Sequence, residues 1–395
     1  MAAVIAVGWP GAAIAQPSIA TGAEGGFQAP LNANPIIPIP TGQSGQSGFY
    51  TSFEYVMLFQ TKAIGSQIIA ERGFIDSTGN ITGTPGTIVG SAAPALAANQ
   101  LGSGSTGMPG FRVGIGYKFD TGVRIYYNYL QVYDAHYSAG ASFATPGFQG
   151  RSDLADTFLS APVYNFSPAF GGPQFKTGFD NANNGGFNEL GIWNAATTMD
   201  VKFTQRYQQM ELGLRTPLFA TDYSSIYGMA GARFAWIFER FYWRTVDSDS
   251  GGNQTPQSAA DYTDFLSQRM YGVFVGLGHE VYLGNMFSAS IDVTGAGFMD
   301  VSKIRAKYEL GDKSTESKFG RETYSVVPSA TADFNLWFYP IEGVQIKLGY
   351  SAITFFNTRY MANPIGYNFG NIDPDIGVKW FRLIHGFNVG VGFFF

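Results

Sequence analysis

Close to its carboxyl end, from Gly386 to Phe393, the chain alternates strictly between small or polar side chains and large apolar ones. The large side chains occupy every second position: Phe387, Val389, Val391, Phe393 and Phe395. Because successive side chains of a β-strand point to opposite faces, one face of this segment is apolar throughout. A strand of a closed membrane barrel shows this pattern, since lipid contacts one face and a crowded polar interior contacts the other.

The composition narrows the alternatives further. Charged residues make up 13% of the 395 residues, aromatic residues make up 16%, and no apolar run is long enough to predict a transmembrane helix. The absence of cysteine excludes disulfides, zinc-thiolate sites and thiol nucleophiles. A net charge of −5 gives no reason to expect a nucleic-acid partner. This composition is typical of an all-β soluble protein or of a membrane barrel.

The amino-terminal region predicts export. Residues 1–15 form a short apolar segment that ends in Ala13-Ile14-Ala15, the pattern of a signal-peptidase site. The basic residues that usually open a signal peptide are missing, so an ordinary apolar tail is the alternative. Residues 16–47, rich in Pro and Gly, predict an extended linker, and 48–395 predict the barrel.

Ten segments alternate well enough to predict strands. They are 49–60, 111–119, 123–134, 197–215, 224–243, 263–282, 287–301, 322–339, 344–357 and 378–395. In 197–215 the apolar positions change parity between Phe203 and Met210, which predicts a β-bulge near Gln205.

The connections alternate between short and long. Long connections are predicted at 61–106, 144–196, 245–262, 309–320 and 358–376. We therefore predict an all-β, transmembrane, up-and-down antiparallel barrel of the bacterial outer membrane, with short periplasmic turns and long extracellular loops. Closure requires 378–395 to pair with 49–60. Twelve strands are possible if 61–106 or 144–196 contains another hairpin, and a soluble β-sandwich or lipocalin-like barrel is the alternative class.

Three segments carry a resemblance to known families. They are PGFRVGIGYKFD (109–120), MELGLR (210–215) and FRLIHGFNVGVGF (381–393). The chain resembles, over 48–395, the porin-like outer-membrane barrels of planctomycete type (beta-barrel porin-7 family), and more distantly the Legionella-type pore-forming outer-membrane proteins. The resemblance implies an outer-membrane pore without catalytic residues. Phe395 is similar to the terminal signal that the barrel-assembly machinery reads.

Charged residues on the predicted inward face are the candidate functional residues. They are Glu54, Arg112, Lys118, Arg124, Arg215, Arg233, Glu239, Glu280, Asp292, Asp333, Lys347 and Arg382. Such charges can line a pore for passive diffusion of small solutes or ions. We therefore predict a porin-like barrel for passive diffusion. The alternative is that these charges form salt bridges that plug a narrow barrel, whose outer loops would then make cell-surface or oligomer contacts. The expected partners are outer-membrane lipid, the assembly machinery and, as one possibility, further copies of the chain.

An outer-membrane hydrolase is a minor alternative, and we expect no enzyme. Parity predicts that Asp134 and His136 face inward, where a His oriented by an Asp could act as a general base. His279 lies near the periplasmic end, and His385 is predicted to pack at the lipid interface. Asp247-Ser-Asp249-Ser-Gly251 resembles the start of a calcium loop, but Ser258 stands where the bidentate Glu would be. No metal or cofactor is expected.

Overall fold

A computed structural model describes residues 47–395, apart from single-residue and other short gaps and from 102–106, 143–157, 165–190 and 249–253. The predicted signal peptide, all but the last residue of the linker, and most of the candidate calcium loop lie outside the described residues. Within the described part of the chain, no helix is long and apolar enough to cross a bilayer.

Ten antiparallel strands form one closed sheet. They are β1 (Gly48–Gln60), β6 (Met108–Lys118), β7 (Arg124–Ser142), β9 (Thr198–Ala220), β10 (Ser224–Val246), β11 (Ala259–Tyr282), β12 (Phe287–Leu310), β13 (Glu316–Ile341), β14 (Val344–Arg359) and β15 (Lys379–Phe394). Each strand pairs with its neighbours in chain order, and β1 pairs with β15 from Tyr50–Phe394 to Gln60–Ile384. The predicted closure and the count of ten strands are confirmed.

The alternation along each strand separates a lipid-facing side from an interior side. Large apolar side chains are exposed around the ring, among them Phe53, Ile115, Leu212, Val273, Val293, Phe334, Leu348 and Phe387. The residues between them, such as Asn388 and Gly386, are buried. A closed antiparallel barrel with an even number of strands and an outward apolar band is the architecture of bacterial outer-membrane proteins. The chain is therefore a transmembrane barrel of the outer membrane, and the soluble alternative is wrong.

Six adjacent strands continue well past the apolar band. Strands β7 and β9–β13 have 19 to 26 residues, whereas about 9–11 residues suffice to cross the bilayer. As a result, β12 and β13 are joined by only five residues, and the long loop predicted at 309–320 is wrong. Above the apolar band the apolar residues of β12 move to the inward positions Ile304, Ala306 and Tyr308, and this change of parity hid the extension of the strand from the apolar pattern.

The predicted bulge near Gln205 is also wrong. The pairing of β9 with β10 runs without a register shift through Gln205. The register shift at this level lies in the pairing of β9 with β7, where it falls between Val132 and Ala135 of β7. Val201 and Phe203 are buried inside the barrel. The parity changes because water replaces lipid outside the upper part of β9, so its apolar side chains turn inward.

A dry cluster, here called the outer core, fills the barrel above the membrane. Short strands β2 (Ile68–Arg72), β3 (Phe74–Asp76), β4 (Thr87–Val89), β5 (Pro94–Ala97) and β8 (Leu159–Ser160) belong to the connections on this side. Trp193 lies at the centre, 4.5 Å from the ring of Trp243 and 5.2 Å from that of Phe369. Its indole nitrogen donates to the Tyr308 hydroxyl at 2.8 Å. Outer connections thus fold into the barrel mouth rather than away from it.

Candidate functional site

All twelve charged residues predicted for the inward face have side chains directed into the barrel. Eight are buried, and Arg112, Arg215, Asp292 and Asp333 are partly buried. Their role in lining a pore stays a prediction. Their contacts, described below from the periplasmic end outward, show which charges the fold brings together.

A polar cavity of about 170 Å³ lies in the periplasmic half of the interior. Arg124 of β7 and Glu280 of β11, three places apart in the ring, both line it, and Ser288 donates to Glu280 at 2.6 Å. Lys118 of β6 is the register partner of Arg124 on β7, and it is buried at the same end of the barrel. The cavity can hold water or a small polar solute.

Arg215 of β9 reaches across the interior to Asp292 of β12. The guanidinium and the carboxylate are 3.2 Å apart, and the Arg215 guanidinium lies 4.2 Å from the centroid of the Tyr227 ring. The Tyr227 hydroxyl also donates to Asp292. Gly278 faces that ring, and a Cβ atom there would overlap it. The small inward glycines therefore leave the room that large polar side chains need to cross the barrel.

The next charged group is centred on Glu54. Its two carboxylate oxygens accept from Arg112 at 3.1 Å and from Lys347 at 3.0 Å, so one anion joins three strands. Asp333, near the same level, accepts from the Ser351 hydroxyl. Opposite charges in this layer thus contact each other directly.

Arg233 pairs with Glu211, a residue that the sequence prediction missed. The ion pair measures 2.6 Å, and Arg233 also donates to the hydroxyls of Thr294 and Thr331 at 3.2 Å. Glu211 shares the parity of Arg215, so the alternation that placed Arg215 inward could have identified it. One guanidinium here bonds to strands β9, β12 and β13 from its own position on β10.

Glu239 and Arg382 meet across the whole barrel. Their strands, β10 and β15, are five places apart in the ring of ten, and the two side chains form a 2.6 Å ion pair. Both side chains are at most 1% exposed. Gln205 donates to Glu239 at 2.9 Å, and Arg382 also donates to the Arg359 carbonyl at 3.0 Å. This pair spans the lumen at its full width.

Aromatic side chains cross the lumen in the same region. Tyr207 of β9 and Phe355 of β14, again five places apart in the ring, have ring centroids 6.1 Å apart. Phe298 of β12 packs on Phe355 at 5.9 Å. The interior is therefore occupied by apolar as well as charged contacts between its walls.

Asp264 is a buried carboxyl group at the level of the outer core, above the membrane-spanning part of β11, where the exposed apolar residues begin at Tyr271. Neither of its carboxylate oxygens accepts a hydrogen bond from another side chain in the described part of the chain. Burial raises the pKa of Asp264 well above its ordinary value, and the nearby Asp373 carboxylate adds to the shift. A neutral Asp264 is the form that this environment favours.

The histidines do not form a catalytic arrangement with acidic residues in the described part of the chain. His136 is exposed rather than inward, 3.3 Å from the Thr204 hydroxyl, because the irregularity in β7 changes the parity. Asp134 instead binds Arg206 through two contacts of 2.5 and 2.8 Å. The predicted inward Asp134–His136 pair is wrong.

The other two histidines lie on the lipid side. His279 forms a 2.8 Å hydrogen bond with Ser224, near the periplasmic end. His385 forms a 2.7 Å hydrogen bond with Tyr350 and stacks on Phe59. Each hydrogen bond gives the polar imidazole ring a partner on the lipid-facing side, where lipid chains offer none.

No group of three potential metal ligands occurs among the residues that the structure describes. Asp247, the first residue of the candidate calcium loop, is buried, but residues 249–253 lie outside the described residues. Phe395 is exposed at the periplasmic end, where its amide donates to the Phe49 carbonyl at 2.8 Å. Its role as an assembly signal stays a prediction.

Comparisons with known proteins give distant likenesses. The chain matches no family model and no curated protein. Among solved structures, the outer membrane protease OmpT of Escherichia coli matches at 10% identity and TM-score 0.40, over 90% of this chain and 100% of that one. A FadL homologue of Pseudomonas aeruginosa matches at 7% identity and TM-score 0.25, over 91% and 95%. The deltaS2S3 mutant of TodX, a monoaromatic hydrocarbon channel, matches at 7% identity and TM-score 0.25, over 90% and 91%. At these scores the likenesses carry no argument about function.

Proposed function

We propose that this barrel is closed at rest and serves to anchor a folded, rigid outer face in the outer membrane. On this account the face formed by the outer core and its connections makes contacts at the cell surface. The inward charges then hold the barrel walls together instead of conducting ions. Barrel and outer face act as one packed unit.

The Glu239–Arg382 ion pair is the observation that carries this proposal. A 2.6 Å contact between opposite walls leaves no width for a solute at that point of the lumen. Breaking the pair inside a dry region leaves an uncompensated charge, which costs about 3–5 kcal/mol. Spontaneous opening at this point is correspondingly rare.

Cysteine accessibility tests the proposal, because the chain has no cysteine of its own. Ser351→Cys places a thiol in the buried polar interior, and Lys313→Cys places one in the exposed outer turn. A membrane-impermeant thiol reagent added outside intact cells should label Lys313→Cys rapidly and leave Ser351→Cys unmodified. Equal labelling of the two variants would contradict a closed lumen.

A gated route for passive diffusion is the second candidate function, and the cavity near Arg124 and Glu280 favours it. That cavity is polar and lies in the half of the lumen below the Glu239–Arg382 pair. Small solutes would enter it from the periplasm and cross only when the pair separates and the outer core opens. Removing the pair with Glu239→Ala and Arg382→Ala, together with Trp193→Ala in the outer core, should then produce conductance in planar bilayers, whereas a silent triple variant would count against this route.

A further inference from the structure

A patch of arginine side chains lies on the outward-facing side of the barrel wall, immediately above the apolar band on the extracellular side. Arg240 of β10, Arg269 of β11 and Arg305 of β12 are all exposed. Arg240 and Arg305 are both register partners of Phe265, so they flank it on the two neighbouring strands. Because β10 and β12 are two strand spacings apart, the backbones of Arg240 and Arg305 are about 10 Å apart. Two arginine side chains at this distance are long enough to contact the same ligand.

These three arginines differ from the lysines around them in having no carboxylate partner. Lys303 pairs with Glu322 at 2.8 Å, and Lys318 pairs with Glu316 at 2.6 Å. No carboxylate in the described part of the chain lies within salt-bridge distance of Arg240, Arg269 or Arg305. The three guanidinium groups are therefore not held in direct ion pairs, and only the Glu322 carboxylate, which is paired with Lys303, interacts electrostatically with Arg305 among the described contacts.

A groove of about 440 Å³ runs between the cations. Trp236, Phe238 and Phe265 form its apolar wall, and Arg269 and Arg305 line it. Gly320 is the β13 register partner of Arg305, and Lys318 and Phe319 beside it line the groove on that side. The Arg240 guanidinium lies 5.3 Å from the centroid of the Phe265 ring, which orients it beside the groove.

The level of the groove fits the outer headgroup region. Arg269 is two residues above Tyr271, and below it Val273 and Val275 are 68% and 67% exposed on the lipid side. Aromatic side chains prefer the membrane interface, where an apolar ring contacts the chains and a polar edge contacts the headgroups. The groove is thus continuous with the surface that lipid already covers.

We propose that Arg240, Arg269 and Arg305 bind the phosphate groups of an anionic lipid of the outer leaflet. Guanidinium groups match phosphate in charge and in the geometry of their paired donors. The wall formed by Trp236, Phe238 and Phe265 contacts the apolar part of the same lipid. This inference does not depend on whether the lumen is open or closed.

Lipid retention measured by native mass spectrometry tests the proposal. The full-length barrel in detergent is titrated with phosphorylated lipid A and, separately, with its dephosphorylated form. The wild type should bind the phosphorylated lipid at least about tenfold more tightly, because hydrogen bonds to charged groups are the stronger ones. Equal binding of the two lipids would overturn the proposal without any variant being needed.

A triple variant, Arg240→Gln with Arg269→Gln and Arg305→Gln, should lose that preference. The matched control changes three exposed lysines elsewhere, Lys202, Lys313 and Lys379, to Gln and should keep it. Loss of the preference in both variants would show attraction to net charge alone and would overturn the specific site. Inorganic phosphate should compete poorly, and competition at the concentration of the lipid would assign the site to a soluble anion instead.

Discussion

Arg382 of β15 and Glu239 of β10 form a 2.6 Å ion pair from opposite walls of a ten-stranded barrel. Each charge makes one further hydrogen bond: Gln205 donates to the Glu239 carboxylate, and the Arg382 guanidinium donates to the Arg359 carbonyl. A buried pair of this kind fixes the spacing of the walls, and it explains how so narrow a barrel keeps charged residues in its interior.

Removing either charge should destabilise the barrel. Arg382→Ala or Glu239→Ala is expected to lower the free energy of unfolding by about 3–5 kcal/mol, since each leaves one buried charge unpaired. The double variant should cost less than the sum of the two single changes. Urea unfolding in phospholipid vesicles gives these values, and additive effects would show that the two residues do not interact.

Gly278 should not tolerate a side chain. Gly278→Ala places a methyl group against the Tyr227 ring and disturbs its bond to Asp292, and such overpacking typically costs about 1–3 kcal/mol. Gly295→Ala is the matched control, because nothing lies within 4 Å of the added atom. The same unfolding measurement should separate the two variants, and equal stability would argue against the glycine–tyrosine packing.

Asp264 should make the stability of the barrel depend on pH. Because the folded-state pKa is raised, the folded protein holds a proton that the unfolded chain releases, so the unfolding free energy falls as pH rises from the ordinary Asp value towards the raised pKa. Within that window the slope from one proton is about 1.4 kcal/mol per pH unit. Asp264→Asn should flatten the profile and stabilise the protein at neutral pH.

The control for this change is Asp120→Asn in the exposed periplasmic turn, which should leave the profile unchanged. Unfolding in urea at several pH values compares the three proteins. A wild-type profile that rises with pH throughout the window would contradict a neutral buried Asp264.

Trp193 should hold the outer connections in place. Trp193→Ala removes the indole from the centre of the outer core, a change of the type that costs about 3–5 kcal/mol. Because the membrane-spanning strands do not contain this residue, the barrel should stay folded while protease added from outside cuts the outer connections faster. Trp193→Phe should show a smaller effect, and protection equal to the wild type in both variants would contradict the packing.

The alternation of side chains predicted the membrane part of the fold well. Phe387 and Val389 are exposed to lipid and Asn388 is buried between them, as the period of two requires. Pro328 lies within β13 although proline has no amide hydrogen for strand pairing, and the strand continues past it. Pro328 is the register partner of Gly297 on β12 and lies beyond Ser329, where pairing with β14 begins, so it has a paired strand on one side only.

The part above the membrane was harder to predict. On β9, Phe203 turns inward because the outside of the barrel is no longer lipid, and the same change of parity looked like a bulge. On β12, Ile304 and Tyr308 are buried while Lys303 lies outward, so the apolar parity is again opposite to that of the membrane part. Hydrophobic periodicity reports the surroundings of a strand, so it fails where those surroundings change.

The pairing of interior charges lay beyond the sequence for a different reason. Parity placed Glu239 and Arg382 inside, but their contact joins strands that are five places apart in the ring. Which residues meet across the lumen depends on the tilt and stagger of the closed barrel, and alternation along one strand carries no information about either.

Single-channel recording of the purified wild-type barrel in planar lipid bilayers tests the closed lumen most directly. Folded, inserted protein should give no discrete conductance steps. Reproducible steps from the wild type, with the Glu239–Arg382 pair intact, would contradict a closed lumen.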